Sequence, residues 1–147
     1  MHATRIAQAL EPSPHPPELR QGVEGSLDRA ETDWDRRAAL GVVLAAHGYP
    51  ESPRSGDAIA GLERVSAASH PGCMVVHAGT RLQDGGWVTA GGRVLNLCAT
   101  AADLATARAL VERDLEAVTW PGRQVRHDIG LRALRHAQAG RGVRDPW

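Results

Sequence analysis

Met74-Val75-Val76-His77-Ala78-Gly79-Thr80-Arg81-Leu82-Gln83-Asp84-Gly85-Gly86-Trp87-Val88-Thr89-Ala90-Gly91-Gly92-Arg93-Val94-Leu95-Asn96-Leu97-Cys98-Ala99 decides the fold class, because short β-branched runs alternate in it with glycine pairs. Valine-rich runs bounded by Gly and Asp are strand and turn signals. They predict a strand over Met74 to Leu82, a short one at Trp87-Val88-Thr89 and another from Val94 to Ala99. Gln83-Asp84-Gly85-Gly86 and Ala90-Gly91-Gly92 are the joints, each with glycine for a tight turn. The succession reads as a β-meander.

Upstream, the apolar run Ala38 to Ala46 ends at His47-Gly48-Tyr49-Pro50, which suits a buried strand entering a loop that continues through Pro53 and Gly56. A further short strand is expected at Ala58 to Leu62. Downstream, Thr100 and Asp103 have capping-box spacing, and Leu104, Ala107, Val111, Leu115 and Val118 recur on one helical face. A helix is therefore predicted over Ala101 to Val118, stopped by Trp120-Pro121-Gly122. Its Arg108, Glu112, Arg113, Asp114 and Glu116 read as a solvated face. Hairpins followed by a helix with one apolar face give an α+β domain.

A chain of 147 residues, 42% of them hydrophobic, has room for one domain with a modest core. That domain is placed at residues 25–135, after an unmatched tail and linker (1–24) and before a fraying end (136–147). Met1 to Pro17 is proline-rich and reads as mobile. Leu19, Val23 and Leu27 suit a helix between Glu18 and Ala30, weakened by Gly22 and Gly25.

The 17 basic and 17 acidic side chains are interleaved, so no face for nucleic acid or an anionic membrane is expected. The longest apolar run is too short for a bilayer and no leader pattern opens the chain, so a cytoplasmic location is expected. Every basic residue is arginine, which rules out a P-loop lysine or a Schiff base. Cys73 and Cys98 lack a second Cys or His at ligand spacing, so they read as buried fillers and no metal site is expected.

Three constellations could carry chemistry. In a regular strand His77 shares a face with Val75 and Gly79, and Thr80 shares one with Val76 and Ala78. His77 is then either hydrogen-bonded at a sheet surface or a ligand contact. Gly91-Gly92-Arg93 is either a hairpin turn needing positive φ or a set of bare amides and a guanidinium facing a phosphate or carboxylate, and both can hold. Arg126 and Asp128 suit an intramolecular pair that ties the closing strand to the domain.

The ordered set Gly48-Tyr49-Pro50, Gly56-Asp57, His77 to Thr80, Thr89 to Leu95, the capped helix and Arg126 to Arg132 resembles the C-terminal domain of phosphoribosylamine–glycine ligase, the glycinamide ribonucleotide synthetase of purine biosynthesis. Trp34-Asp35-Arg36 resembles the family's tryptophan ahead of the first strand. The resemblance implies a small antiparallel sheet of barrel-sandwich character packed by helices. It also implies a reaction in which ATP, with Mg2+ or Mn2+, phosphorylates the glycine carboxylate and the amine of phosphoribosylamine attacks the acyl phosphate. In the family those steps belong to an ATP-grasp domain, and its Arg-x-Gly-Asp-Pro-Glu signature does not occur in this sequence.

Accordingly no catalytic residue and no cofactor is assigned to this chain, which is expected to be inactive alone. A separate ATP-grasp polypeptide is the implied partner. Asp57, His77, Thr80, Gly91, Gly92 and Arg93 are the residues expected to face a wall of the substrate cleft, with a small molecule as the most that they bind. Ala90, His127 and Leu131 depart from the family pattern and motivate the alternative of a non-catalytic binding or assembly module, or a relic. A surface that packs on the ATP-grasp domain would be uncovered here, so an exposed apolar patch and self-association are expected.

Overall fold

In the computed structural model residues 35–65 and 71–139 are described, and the expected N-terminal tail and the helix from Glu18 lie outside them. The apolar run ahead of His47 forms β1 (Ala38–Ala45), with Leu40, Val42 and Leu44 buried and Ala39, Gly41 and Val43 exposed. That alternation is the signature of a strand with one face on a core. β2 (Cys73–His77), β3 (Thr80–Gln83), β4 (Gly86–Thr89) and β5 (Arg93–Ala101) follow, then α1 (Leu104–Ala117), the short β6 (Gln124–Val125) and α2 (Leu131–Ala139). The strands form a four-stranded sheet in the order β2-β5-β1-β6 and a separate two-stranded sheet, β3-β4, all antiparallel. The fold is α+β, and no closed barrel is formed among the described residues.

Three expectations change. The strand predicted over Met74 to Leu82 is two strands, because the chain leaves β5 at Ala78-Gly79 and crosses to the second sheet. The glycine joint at 90–92 is a second crossing rather than a hairpin turn, since β4 and β5 are not paired, and the meander reading falls with it. The strand expected at Ala58 to Leu62 is reduced to single bridges at Ala58 and Ala60 followed by a 3-10 turn, Leu62–Arg64. The β3–β4 joint is the tight turn expected, with Asp84 and Gly85 both at positive φ between the paired Gln83 and Gly86.

α1 lays Ala107, Val111 and Leu115 on the sheet face formed by Leu40, Val42, Leu44, Leu95 and Leu97, and Val118 and Trp120 close the core. Its N-cap is Asp103, not Thr100. The Asp103 carboxylate accepts from the Thr106 backbone N–H at 2.8 Å and from its hydroxyl at 3.0 Å. These bonds hold the Asp103 carboxyl below the ordinary aspartate range, the backbone bond contributing most. A depressed folded-state pKa gives stability that is present above about pH 4 and lost as the group takes up its proton below it. Asp103→Asn, which keeps a capping oxygen but no titration, should flatten the acid limb of a melting-temperature profile; an unchanged limb would show that the cap does not act through its charge.

The polar face of α1 is not simply solvated. Asp114 is buried beside Arg113, and Arg108 donates to Glu112 at 2.7 Å and to the carbonyls of His127 and Ile129 at 2.7 and 3.2 Å. Glu112 also meets His127 Nδ1 at 3.1 Å, so this face ties down the segment ahead of α2. Arg123 donates to the carbonyls of Leu115 and Val118, satisfying helix-end acceptors from beyond the helix. Burial lowers its pKa from the usual arginine value.

Candidate functional site

The Gly79, Gly91-Gly92-Arg93 and Tyr49 segments meet where the chain crosses between the two sheets. Gly79 is pressed against the other crossing. A Cβ there would lie 2.7 Å from the Arg93 carbonyl oxygen and 2.8 Å from Gly91 Cα. Gly79 N–H donates to Arg93 O, Ala90 N–H donates to Gly79 O, and both bonds are 2.8 Å. Gly92 in turn is covered by the Tyr49 ring, 2.6 Å from where its Cβ would be. Neither Gly91 nor Gly92 has positive φ, so the turn reading is replaced by close approach as the reason for glycine.

The loop after β1 is seated on β4. Gly56 N–H donates to Thr89 O at 2.7 Å and Asp57 N–H to Thr89 Oγ1 at 3.1 Å, while Thr89 N–H returns to Asp57 O at 2.9 Å. Thr89 is fully buried, and its hydroxyl also reaches Arg54 O. Thr89→Val, which keeps the shape and removes the hydroxyl, should cost about 1–3 kcal/mol by leaving buried groups unpaired. Amide exchange at Gly56 and Asp57 should speed up selectively; unaltered protection there would contradict Thr89 as the anchor.

The six residues expected to face a cleft do not fall in one place. The Asp57 carboxylate is engaged by Arg54 Nε at 2.8 Å, and Arg54 also donates to Pro121 O. His77 and Thr80, placed on opposite faces by regular-strand parity, meet because the strand breaks between them: His77 Nδ1 and Thr80 Oγ1 are 2.9 Å apart. The His77 ring lies on Trp87, centroids 4.4 Å apart, and burial lowers its pKa so that the neutral form is favoured. His77 and Trp87 line one cleft of about 500 Å³ with Leu62 and Val65. Gly92 and Arg93 line another, of about 590 Å³, with Val43, Val76 and Asn96.

Sequence reading missed Asn96, Arg54 and Trp87. Only Trp87 carried a signal, as a large aromatic in a short strand beside glycines. Arg126 and Asp128 do pair, at 2.6 Å, but both are well exposed and only two residues apart, so the pair does not tie the closing strand to the domain as expected. That pair holds the Asp128 carboxyl below its ordinary range. Cys73 is buried and Cys98 partly so; both are free, and burial raises both thiols, aided at Cys73 by the Asp114 carboxylate. The outer sheet face shows an apolar patch, with Val43, Met74 and Val76 at 41%, 55% and 40% exposure. No helix among the described residues is long and apolar enough to cross a membrane.

Residues 39–132 match the family model described as phosphoribosylglycinamide synthetase, C domain. The chain is 44% identical over 117 residues to the phosphoribosylamine–glycine ligase of Ralstonia nicotianae, covering 80% of this chain and 27% of that ligase. It is 42% identical over 121 residues to the chloroplastic phosphoribosylamine–glycine ligase of Arabidopsis thaliana, covering 82% and 23%. The crystal structure of the Thermotoga maritima phosphoribosylamine–glycine ligase superposes with a TM-score of 0.61 at 30% identity, over 79% of this chain and 28% of that one. The chain thus spans about a quarter of the length of the relatives it matches. With this sequence match and a shared α+β architecture, the chain belongs to the family of phosphoribosylglycinamide synthetase C-terminal domains.

Proposed function

We propose that this chain acts as the C-terminal domain of a phosphoribosylamine–glycine ligase and supplies one wall of its substrate cleft, centred on Gly92 and Arg93. The observation that carries the reading is the convergence of three family motifs: the 48–57 loop on Thr89 and Gly92, Gly79 on Gly91, and Arg93 lining a cleft with Gly92. Such a wall binds and orients a small substrate, and it excludes water from one side of the reacting groups.

In this reading the described residues hold neither nucleotide nor metal. Among them no three of His, Cys, Asp and Glu come together as metal ligands, the Asp57 carboxylate is held by Arg54, and the sequence has no lysine. In this reading ATP and Mg2+ or Mn2+ are held by an ATP-grasp portion that acts with the chain in the cytoplasm, and no catalytic step is assigned to residues of this domain.

Two measurements test it. Adding the ATP-grasp portion of a related ligase to this chain should yield glycinamide ribonucleotide from ATP, glycine and phosphoribosylamine, with neither piece active alone. No product from the mixture, with both pieces folded, would sink the reading. The part of the outer sheet face around Met74, beside the cleft that Val43 and Val76 line, packs on the remainder of the ligase in this account. Light scattering of the chain alone should therefore show concentration-dependent association that the added portion abolishes; a clean monomer that binds no apolar dye would count against that packing.

A further inference from the structure

We infer that Arg93 and Asn96 form an oxyanion-binding subsite on the outer face of the four-stranded sheet. In a regular strand two residues three apart point to opposite faces. Here the register of β1 on β5 shifts, Leu44 opposing Leu95 while Ala45 opposes Arg93, so Val94 is an extra residue. Val94 and Leu95 are consequently both buried, and Arg93 emerges on the same face as Asn96. A bulge that re-aims a side chain in this way is a recurrent device beside binding sites.

The cleft that receives the two side chains is about 590 Å³, floored by Val43, Val76 and Ala78 and bordered by Gly92. The Asn96 amide lies over Gly41, where a Cβ would come within 3.3 Å of its oxygen. That oxygen is buried without a hydrogen-bond partner among the described residues, and Asn96 lines the cleft, so in this reading Nδ2 is the donor it offers there. Arg93 has no carboxylate partner among the described residues, and the other side chains lining the cleft are apolar. A cationic donor and a neutral donor above an apolar floor, with no side-chain acceptor between them, select a carboxylate or phosphoryl group. A side chain at Gly41 would stand 3.3 Å from both the Asn96 oxygen and Cys98 Sγ, so one or other of those side chains would have to give by a few tenths of an ångström.

The inference deepens the ligase reading and rests on it only for the claim that the bound group belongs to a substrate. The oxyanion chemistry comes from this chain's own residues. Two sources share it, the phosphoryl group of a sugar phosphate and the carboxylate of an amino acid.

The test is a titration of the isotopically labelled full chain, followed by nuclear magnetic resonance. Inorganic phosphate and ribose 5-phosphate form one arm, acetate and glycine the other, and chloride at matched ionic strength is the control. Saturable shifts at the Arg93 guanidinium and the Asn96 side-chain amide are expected in at least one arm, and the responding arm names the group. Arg93→Gln should weaken binding about tenfold and Asn96→Ala by a smaller factor, while Arg64→Gln on the distant 3-10 turn should leave it unchanged. Shifts that chloride reproduces, or a dissociation constant that Arg93→Gln leaves intact, would overturn the subsite. If oxyanions bind at Arg93 and the reconstituted mixture makes no product, the ligase reading falls and the subsite stands; if the mixture is active and no oxyanion binds, the reverse holds.

Discussion

Gly79→Ala should destabilise the domain by about 3 kcal/mol, the sum of an overpacked contact and a weakened pair of hydrogen bonds. The new methyl would meet backbone, Arg93 O at 2.7 Å and Gly91 Cα at 2.8 Å, and backbone cannot rotate away as a side-chain end can. The two crossings would have to separate, stretching the 2.8 Å bonds from Gly79 N–H to Arg93 O and from Ala90 N–H to Gly79 O. Gly85→Ala is the matched comparison, because nothing lies within 4 Å of its Cβ although its φ is 80°. Only a left-handed backbone penalty of about 1–2 kcal/mol applies there. Chemical denaturation of both variants measures the difference; equal losses would show that Gly79 is held by conformation rather than by contact. The Arg93 resonance should move in Gly79→Ala and stay put in Gly85→Ala, since only the first contact touches the residue placed in the subsite.

Trp120→Ala should cost about 3–5 kcal/mol, a large part of the 5–15 kcal/mol that a domain of this size has in total. Trp120 is 4% exposed and lies where the segment leaving α1 closes over the core with Val118. Its indole nitrogen is buried without a hydrogen-bond partner among the described residues. Trp120→Phe should therefore lose less than half as much, because it keeps most of the ring packing and removes a donor that is costly to leave unpaired. Urea unfolding with a constant slope for both variants would establish the order. A phenylalanine variant as unstable as the alanine one would mean that the indole N–H is satisfied in solution, for instance by a buried water.

Local chemistry was the part of this molecule legible in the sequence. A continuous apolar run located β1, the apolar stretch after Gly91-Gly92 located β5, Asp84-Gly85 specified the one hairpin among the described residues, and the i, i+3, i+4 spacing from Leu104 gave α1 within a few residues. What failed was pairing. A valine run followed by glycine looks the same whether the chain turns back on its neighbour or crosses to another sheet, since turn residues report backbone freedom and not the identity of the partner strand. Hence Met74 to Leu82 read as one strand, and His77 and Thr80 were put on opposite faces.

The candidate site shows the same division. By itself the sequence determined the family and the residues that mark it, because motif order survives without any knowledge of contacts. Which of those residues stand together was decided only by tertiary structure. Asp57 is taken up by Arg54, His77 by Thr80 and Trp87, and Arg93 is turned outward beside Asn96 by one extra residue in β5. The physical reason is that register and sheet crossing depend on how far-apart segments share a core, a balance of burial and backbone pairing that no local window of sequence contains.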